Sequence, residues 1–280
     1  DRLRVELEEW RQVLRKEMGG WAESQPLMGL YDVLAEAHES FQALSEHGPP
    51  DPFGEAELPA AARDFLLALL LGDEARAPIP AATAESVQLL PRWWEGVVAP
   101  ALRTVGKLWS EGCVSVAEEH IATGIAQHLL RSTFPAVVDR RVEKTAAVVV
   151  PEHECHTVGA EMVRDYMRIE GYKVFYTGAN TPNEGLLPLL EQNDISYLLI
   201  SSTMAAGLPN VMDLVRAVRE LGNRRPRILV GGQAYRLDPE LGAKVGADAC
   251  LQRLEDLGAY LREGEDQAGR AGQPAGMTMI

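Results

Sequence analysis

Cysteine is scarce in this chain: there are three in 280 residues, Cys113, Cys155 and Cys250. None forms a C-x-x-C pair, which argues against a disulfide framework and predicts a reduced, cytoplasmic thiol pool. Basic charge is in deficit too. Lys and Arg number 27 against 41 Asp and Glu, and the formal net charge of −14 argues against gripping a phosphate backbone. No apolar run reaches transmembrane length, and no signal-peptide pattern opens the chain. Apolar residues are plentiful at 46%, enough for a substantial core and too many for global disorder. The length suits one large domain or two ordinary ones. The first residue is Asp rather than Met, which leaves room for the natural protein to extend beyond this sequence.

Four stretches separate by pattern. Residues 1–47 read as an N-terminal helical segment, two helices broken near "GGWAESQP". Leu3, Leu7, Trp10 and Leu14 stripe the first; Leu27, Leu30, Leu34, Phe41 and Leu44 stripe the second. Such stripes suit helix pairing between chains, or cover for a neighbouring domain. "HGPPDPFGE" (47–55) is a linker by its proline and glycine content. Residues 57–138 read as an all-helical unit of about four helices, with Pro91 and Pro100 near helix starts or in connections.

From 145 to 262 the period changes. "TAAVVV", "YKVFYTG", "SYLLIS", "RILVGG" and "ADACLQ" alternate with helical patterns beginning near Val158, Pro182, Leu208, Pro239 and Glu255. Fully apolar strands separated by crossover helices predict a Rossmann-like, five-stranded parallel sheet covered on both faces. The fold class is therefore α/β plus all-α. Residues 263–280, Gly-rich and polar, read as a flexible tail or linker.

The residues with chemistry sit at strand ends. In an open parallel sheet of order 2-1-3-4-5, ligands bind beyond the carboxyl ends of strands one and three. The loop after strand one is "PEHECHTVG", after strand three "SSTMAAGLP", after strand four "GGQAY". That order sets His156 opposite Ser201–Thr203, with Gly231 and Gly232 beside them. A neutral imidazole is a good metal ligand, and Glu154 can orient it through the other ring nitrogen. No second and third ligand stand at zinc-like spacing. One histidine suits a metal that brings most of its own ligands, as a macrocycle does. His153 and Cys155 read as loop residues.

Glu154-x-His156-x-x-Gly159, Ser201-x-Thr203 and Gly231-Gly232 together resemble the signature of cobalamin-binding domains. That pattern usually opens with Asp; Glu at 154 keeps the carboxylate. The resemblance covers residues 58–262 and implies that His156 is the lower axial ligand of cobalt, with Glu154 as its partner. It implies also that Ser201, Thr203, Gly231 and Gly232 line a groove for the displaced nucleotide tail.

The helical unit carries a second resemblance. In "WSEGCVSVAEEH", Trp109 precedes Glu119-His120 in a W-x9-E-H pattern similar to that of CarH-type light-sensing regulators, whose helices form a four-helix cap. The resemblance implies that Trp109 packs on the upper adenosyl group of adenosylcobalamin and Glu119 hydrogen-bonds to it. His120 would ligate cobalt after light has removed that group. Trp93, Trp94 and His128 read as packing or surface residues. CarH-type regulators carry a winged-helix DNA-binding domain, for which residues 1–47 are too short and too mixed in charge. Direct operator binding by this chain is therefore not expected.

The expectation is a light sensor, not an enzyme, whose photolysis alters cap–sheet geometry and the contacts of a homo-oligomer or an output partner. A further resemblance, to the photocobilins, would add biliverdin; no attachment motif is present, and non-covalent binding needs none. The competing reading is a corrinoid carrier for methyl transfer, which wants an open upper face. A mutase would need a barrel for which this sequence leaves no room.

Overall fold

The computed structural model describes residues 58–80, 86–134, 144–222, 225–236, 238 and 240–271. The expected N-terminal helices at 1–47, the linker at 47–55 and the last residues of the tail lie outside them. The chain divides into two compact units. Among the described residues, one holds those up to Pro78 with Pro100–Ile125, the other those of Ile79–Ala99 and from Ala126 to Ala271. Among the described residues no helix is long and apolar enough to cross a membrane.

In the first unit, helix α1 (Ala60–Leu70) buries Ala62, Phe65, Ala68 and Leu69, the three- and four-residue spacing of one helical face. Helix α3 (Ala99–Ser110) buries Ala101, Val105 and Leu108 in the same way. A short helix, α2 (Leu90–Trp93), and a π-turn over Trp94–Val98 precede it in sequence and belong to the second unit. Pro100 explains the π-turn: it has no N–H to give, and its ring crowds the carbonyl four residues back, so the helix widens rather than stops. Pro91 and Pro100 both take the expected place near a helix start, each as the second residue of its helix.

The second unit is built on five parallel strands: β1 Thr145–Val149, β2 Lys173–Tyr176, β3 Ile195–Ser201, β4 Arg227–Gly231 and β5 Ala249–Leu251. Their order is β2-β1-β3-β4-β5, as the sequence predicts. Ala147, Val149, Leu198, Ile200, Ile228 and Val230 join one buried cluster with Leu186 and Leu190 of α6 (Asn183–Gln192) and Val211, Leu214, Val215 and Val218 of α7 (Leu208–Arg219). Residues of the other parity (Ala146, Val148, Leu199, Leu229) are equally buried, as are Met167 and Ile169 of α5 (Val158–Ile169). Each buried Val, Leu, Ile or Met side chain among them contributes about 1.5–3 kcal/mol. A short α8 (Glu240–Lys244) precedes β5. Helix α9 starts at Leu254, whose N–H is accepted by Glu95 at 2.6 Å. It runs to Ala271 rather than ending at 262. The expected tail opens with EGEDQAGRA, which the helix takes in despite Gly264 and Gly269.

Two glycines carry opposite expectations. Gly232 has φ +106°, and a Cβ there would run into the Ser202 carbonyl. Gly106, inside α3, has open space where its Cβ would be. Gly232→Ala should lower stability by roughly 2 kcal/mol or more, and Gly106→Ala should raise it by about 0.5–1 kcal/mol. Urea unfolding midpoints measure both.

Candidate functional site

The loop leaving β1 reaches the crevice between β1 and β3, where strand order reverses. Neighbours on both sides hold it. Pro151 bridges to Thr181, and the Glu154 N–H closes a turn onto the Pro151 carbonyl at 3.1 Å. His153 takes φ +67° and donates its N–H to Asn180 Oδ1 at 2.8 Å. Asn180 in turn donates its N–H to the Glu154 carbonyl at 2.9 Å. Asn210 of α7 gives its amide to the Glu152 carbonyl at 3.0 Å. An asparagine from each flank thus fixes the backbone that leads to His156.

Glu154 lies at the centre with 1% of its surface exposed. Oε1 accepts the backbone N–H of His156 at 3.1 Å and pairs with Nδ1 of the same ring. Oε2 accepts the N–H groups of Thr203 and Met204, each at 2.9 Å. Burial pushes this carboxyl up, but the bonds from the His156 ring, Met204, His156 N–H and Thr203 prevail and hold it at about 2. A carboxylate that keeps its charge keeps Nδ1 protonated, so in the neutral ring Nε2 carries the lone pair. The His156 side chain is 55% exposed and able to meet a ligand. His153 and Cys155 are exposed loop residues.

Around this dyad the expected residues assemble, with one change of reason. Gly159, in the first turn of α5, stands beside Ser201: a Cβ on it would lie 3.6 Å from Ser201 Oγ. Thr203 enters through its backbone N–H. Gly231 and Gly232 are required by the protein itself. A Cβ on Gly231 would sit 2.7 Å from the Leu251 carbonyl, and one on Gly232 would strike Ser202.

Trp109, Glu119 and His120 belong to the first unit and flank the turn between α3 and α4 (Val116–Thr133). Both helix ends are locked. Gly112, at φ +75°, lets its N–H reach the Trp109 carbonyl at 3.0 Å and that of Cys113 reach Leu108 at 2.8 Å. Ser115 and Glu118 then form a capping box, with Ser115 N–H donating to Glu118 at 2.8 Å and Glu118 N–H to Ser115 Oγ at 3.3 Å. On this turn the Trp109 indole is 48% exposed. Glu119 Oε2 meets His120 Nδ1 at 2.6 Å, and Glu119 Oε1 accepts the Thr123 hydroxyl at 2.7 Å.

Several participants escaped the sequence reading. Gln127 donates to Thr157 Oγ1 at 2.7 Å, and Arg131 grips Glu161 through two bonds of 3.0 and 2.8 Å. Both anchor α4 beside the first turn of α5, immediately after His156. The signal was spacing: 119, 123, 127 and 131 form one polar ridge of α4, and 157, 161 and 165 one of α5. "SVAE" was a readable capping box. Asn180 and Asn210 left no local signal.

Glu154→Ala would strand the N–H groups of His156, Thr203 and Met204 and the ring Nδ1 together. The expected loss of stability is about 3 kcal/mol or more, from several charge-assisted bonds. Denaturant unfolding of the ligand-free protein checks it; a loss below about 0.5 kcal/mol would contradict this geometry.

Comparison with known proteins agrees with the site. A B12 binding domain family matches residues 144–259, and a second B12 binding domain family matches residues 61–132. An uncharacterised 20.5 kDa protein from the bchF-crtJ intergenic region of Rhodobacter capsulatus is 28% identical over 170 residues, 56% of this chain and 83% of that protein. The HTH-type transcriptional repressor CarH of Myxococcus xanthus is 26% identical over 143 residues. That match takes in 51% of this chain and 48% of the repressor, so it spans about half of CarH's length. The monomethylamine corrinoid protein of Methanosarcina barkeri shares the fold, with a TM-score of 0.58 and 14% identity over 71% of this chain and 95% of that one. With B12 binding domains over both its helical stretch and its sheet, the chain is a CarH-like cobalamin-binding protein.

Proposed function

We propose that the chain is a cobalamin-dependent light sensor, a binding module rather than an enzyme, with adenosylcobalamin as its cofactor. The observation that carries the cofactor assignment is the buried Glu154 carboxylate at the β1/β3 crevice, which aims a single imidazole outward. The residues fit the group. A corrin brings its own equatorial nitrogens and asks the protein for one axial donor, and His156 is that donor. Gly159 adds no side chain beside Ser201, which leaves the approach to β3 open to a narrow nucleotide tail. Ser201, Thr203, Gly231 and Gly232 line its path in this reading.

Light sensing is supported by the locked turn of the first unit. Its exposed indole, Trp109, offers an aromatic face to an apolar ligand surface, and Glu119 offers a carboxylate to a ribose hydroxyl. Bound adenosylcobalamin supplies a cobalt–carbon bond that visible light breaks. In this reading Trp109 and Glu119 would hold the adenosyl group, and His120 would stand beside them as a nitrogen donor available to the metal once that group is lost. A few kcal/mol of differential contact is enough to invert a two-state population. The output is a change in cap–sheet geometry and in self-association or partner contact, without direct nucleic-acid binding. The competing corrinoid-carrier reading leaves Trp109 and the Glu119–His120 pair without a task.

The test is the absorption spectrum of adenosylcobalamin-loaded protein before and after green light. An irreversible change supports the sensor, and an unchanged spectrum overturns it; a separate red band in protein from cells would identify biliverdin as a second chromophore. His156→Ala should weaken cobalamin retention and shift the visible spectrum, and an unshifted spectrum would remove His156 as the lower ligand. Mass by size exclusion with light scattering should differ between dark and illuminated holoprotein. Equal masses would transfer support to the carrier.

A further inference from the structure

We propose that Gln127 and Thr157 are positioning residues for His156, resting on the reading above that makes this imidazole the axial donor. Glu154 fixes the chain before the imidazole, and the bond from Gln127 to the Thr157 hydroxyl fixes it after. All the residues concerned belong to the second unit.

Thr157 immediately precedes α5, where a threonine ordinarily caps the helix by accepting an N–H of its first turn. It does not cap. Its backbone, at φ −104° and ψ −18°, is helical rather than extended, and its side chain makes no capping bond. Ser115, at the corresponding place before α4, accepts the Glu118 N–H at 3.3 Å. The Thr157 hydroxyl is committed to another helix instead. Its oxygen accepts the Gln127 side-chain amide at 2.7 Å, and its one proton goes to Glu161 Oε1 at a longer 3.4 Å.

A single bond between two helices sets a distance and leaves rotation free. Here there are two rungs, one turn apart on each helix: Gln127 to Thr157, and Arg131 to Glu161 at 3.0 and 2.8 Å. Together they fix how the first turn of α5 is rotated about its axis. The rungs differ in kind. Glu161 is 1% exposed and its bonds to the guanidinium are charge-assisted, so the Arg131 rung carries stability. The Gln127 rung is neutral, and its loss costs the fold little. Its place is what matters, because it grips the residue next to His156, whereas Glu161 lies a turn further along α5.

The imidazole needs that grip. Its side chain is 55% exposed, so packing does little to steady it and its direction follows the backbone that carries it. The two bonds from Glu154, to the ring and to the His156 N–H, both come from two residues earlier in the chain. Thr157 is the first residue on the other side.

The experiment compares the unaltered protein with Thr157→Val, which keeps the shape and removes the hydroxyl, Thr157→Ser, which restores it, and Gln127→Met, which removes the amide. Thermal unfolding confirms that each is folded. Hydrogen exchange read by NMR in the cobalamin-free chain follows two amides that share Glu154 as acceptor, His156 on the α5 side and Thr203 on the β3 side. Exchange at His156 should quicken roughly two- to tenfold in Thr157→Val and Gln127→Met and stay normal in Thr157→Ser, with Thr203 unchanged in all three. Release of cobalamin from loaded protein should quicken by a similar factor in Thr157→Val and Gln127→Met only. Unchanged exchange at His156, or an equal rise at both amides, overturns the proposal. So does cobalamin release that His156→Ala quickens and Thr157→Val does not. A selective rise at His156, with release indifferent to His156→Ala, upholds the positioning role and overturns His156 as the donor instead.

Discussion

A buried carboxylate between two loops is the constraint from which the rest follows. Taking Glu154 out of water costs several kcal/mol unless its lone pairs are met by donors. Three backbone N–H groups and one imidazole meet them, drawn from the loops after β1 and β3. The charge thereby ties the two loops together at the point where strand order reverses, and the same charge sets which nitrogen of His156 bears the proton. Stability and the proposed ligand chemistry rest on one side chain. Asn180 and Asn210 serve it by holding the backbone on either side.

The helical unit solves a similar problem at the surface. Solvent screens the Glu119–His120 pair, so its geometry comes from the helix ends rather than from a dry interior. A left-handed glycine closes α3, a capping box opens α4, and Thr123 supplies the donor that burial supplies to Glu154. Below them on the same ridge, Gln127 and Arg131 fasten α4 to the start of α5.

Most of this architecture was legible because it is local or periodic. Five apolar runs gave five strands, and the loops after them carried the site residues in the expected order. Glu154 was readable as a partner of His156 because the two are near in sequence. Its bonds to Thr203 and Met204 were not, since nothing in a sequence says which distant N–H groups a carboxylate will find. Gly231 and Gly232 were read only as lining a groove for a cofactor's tail. That they admit the close approach of Leu251 and Ser202 needed three dimensions. Pro100 was readable near a helix start; the π-turn that leads into that helix was not. The extension of α9 to Ala271 was missed because Gly264 and Gly269 read as the start of a tail.

The central claim is that His156, held by Glu154, is the protein's donor to cobalt. Electron paramagnetic resonance of the reduced, cobalamin-loaded protein tests it most directly, with ordinary histidine and with histidine labelled in both ring nitrogens by the heavy isotope. One imidazole on cobalt predicts that each nitrogen-split triplet becomes a doublet on labelling and that the splitting is lost in His156→Ala. A pattern indifferent to the label, or one that survives the substitution, would contradict the account.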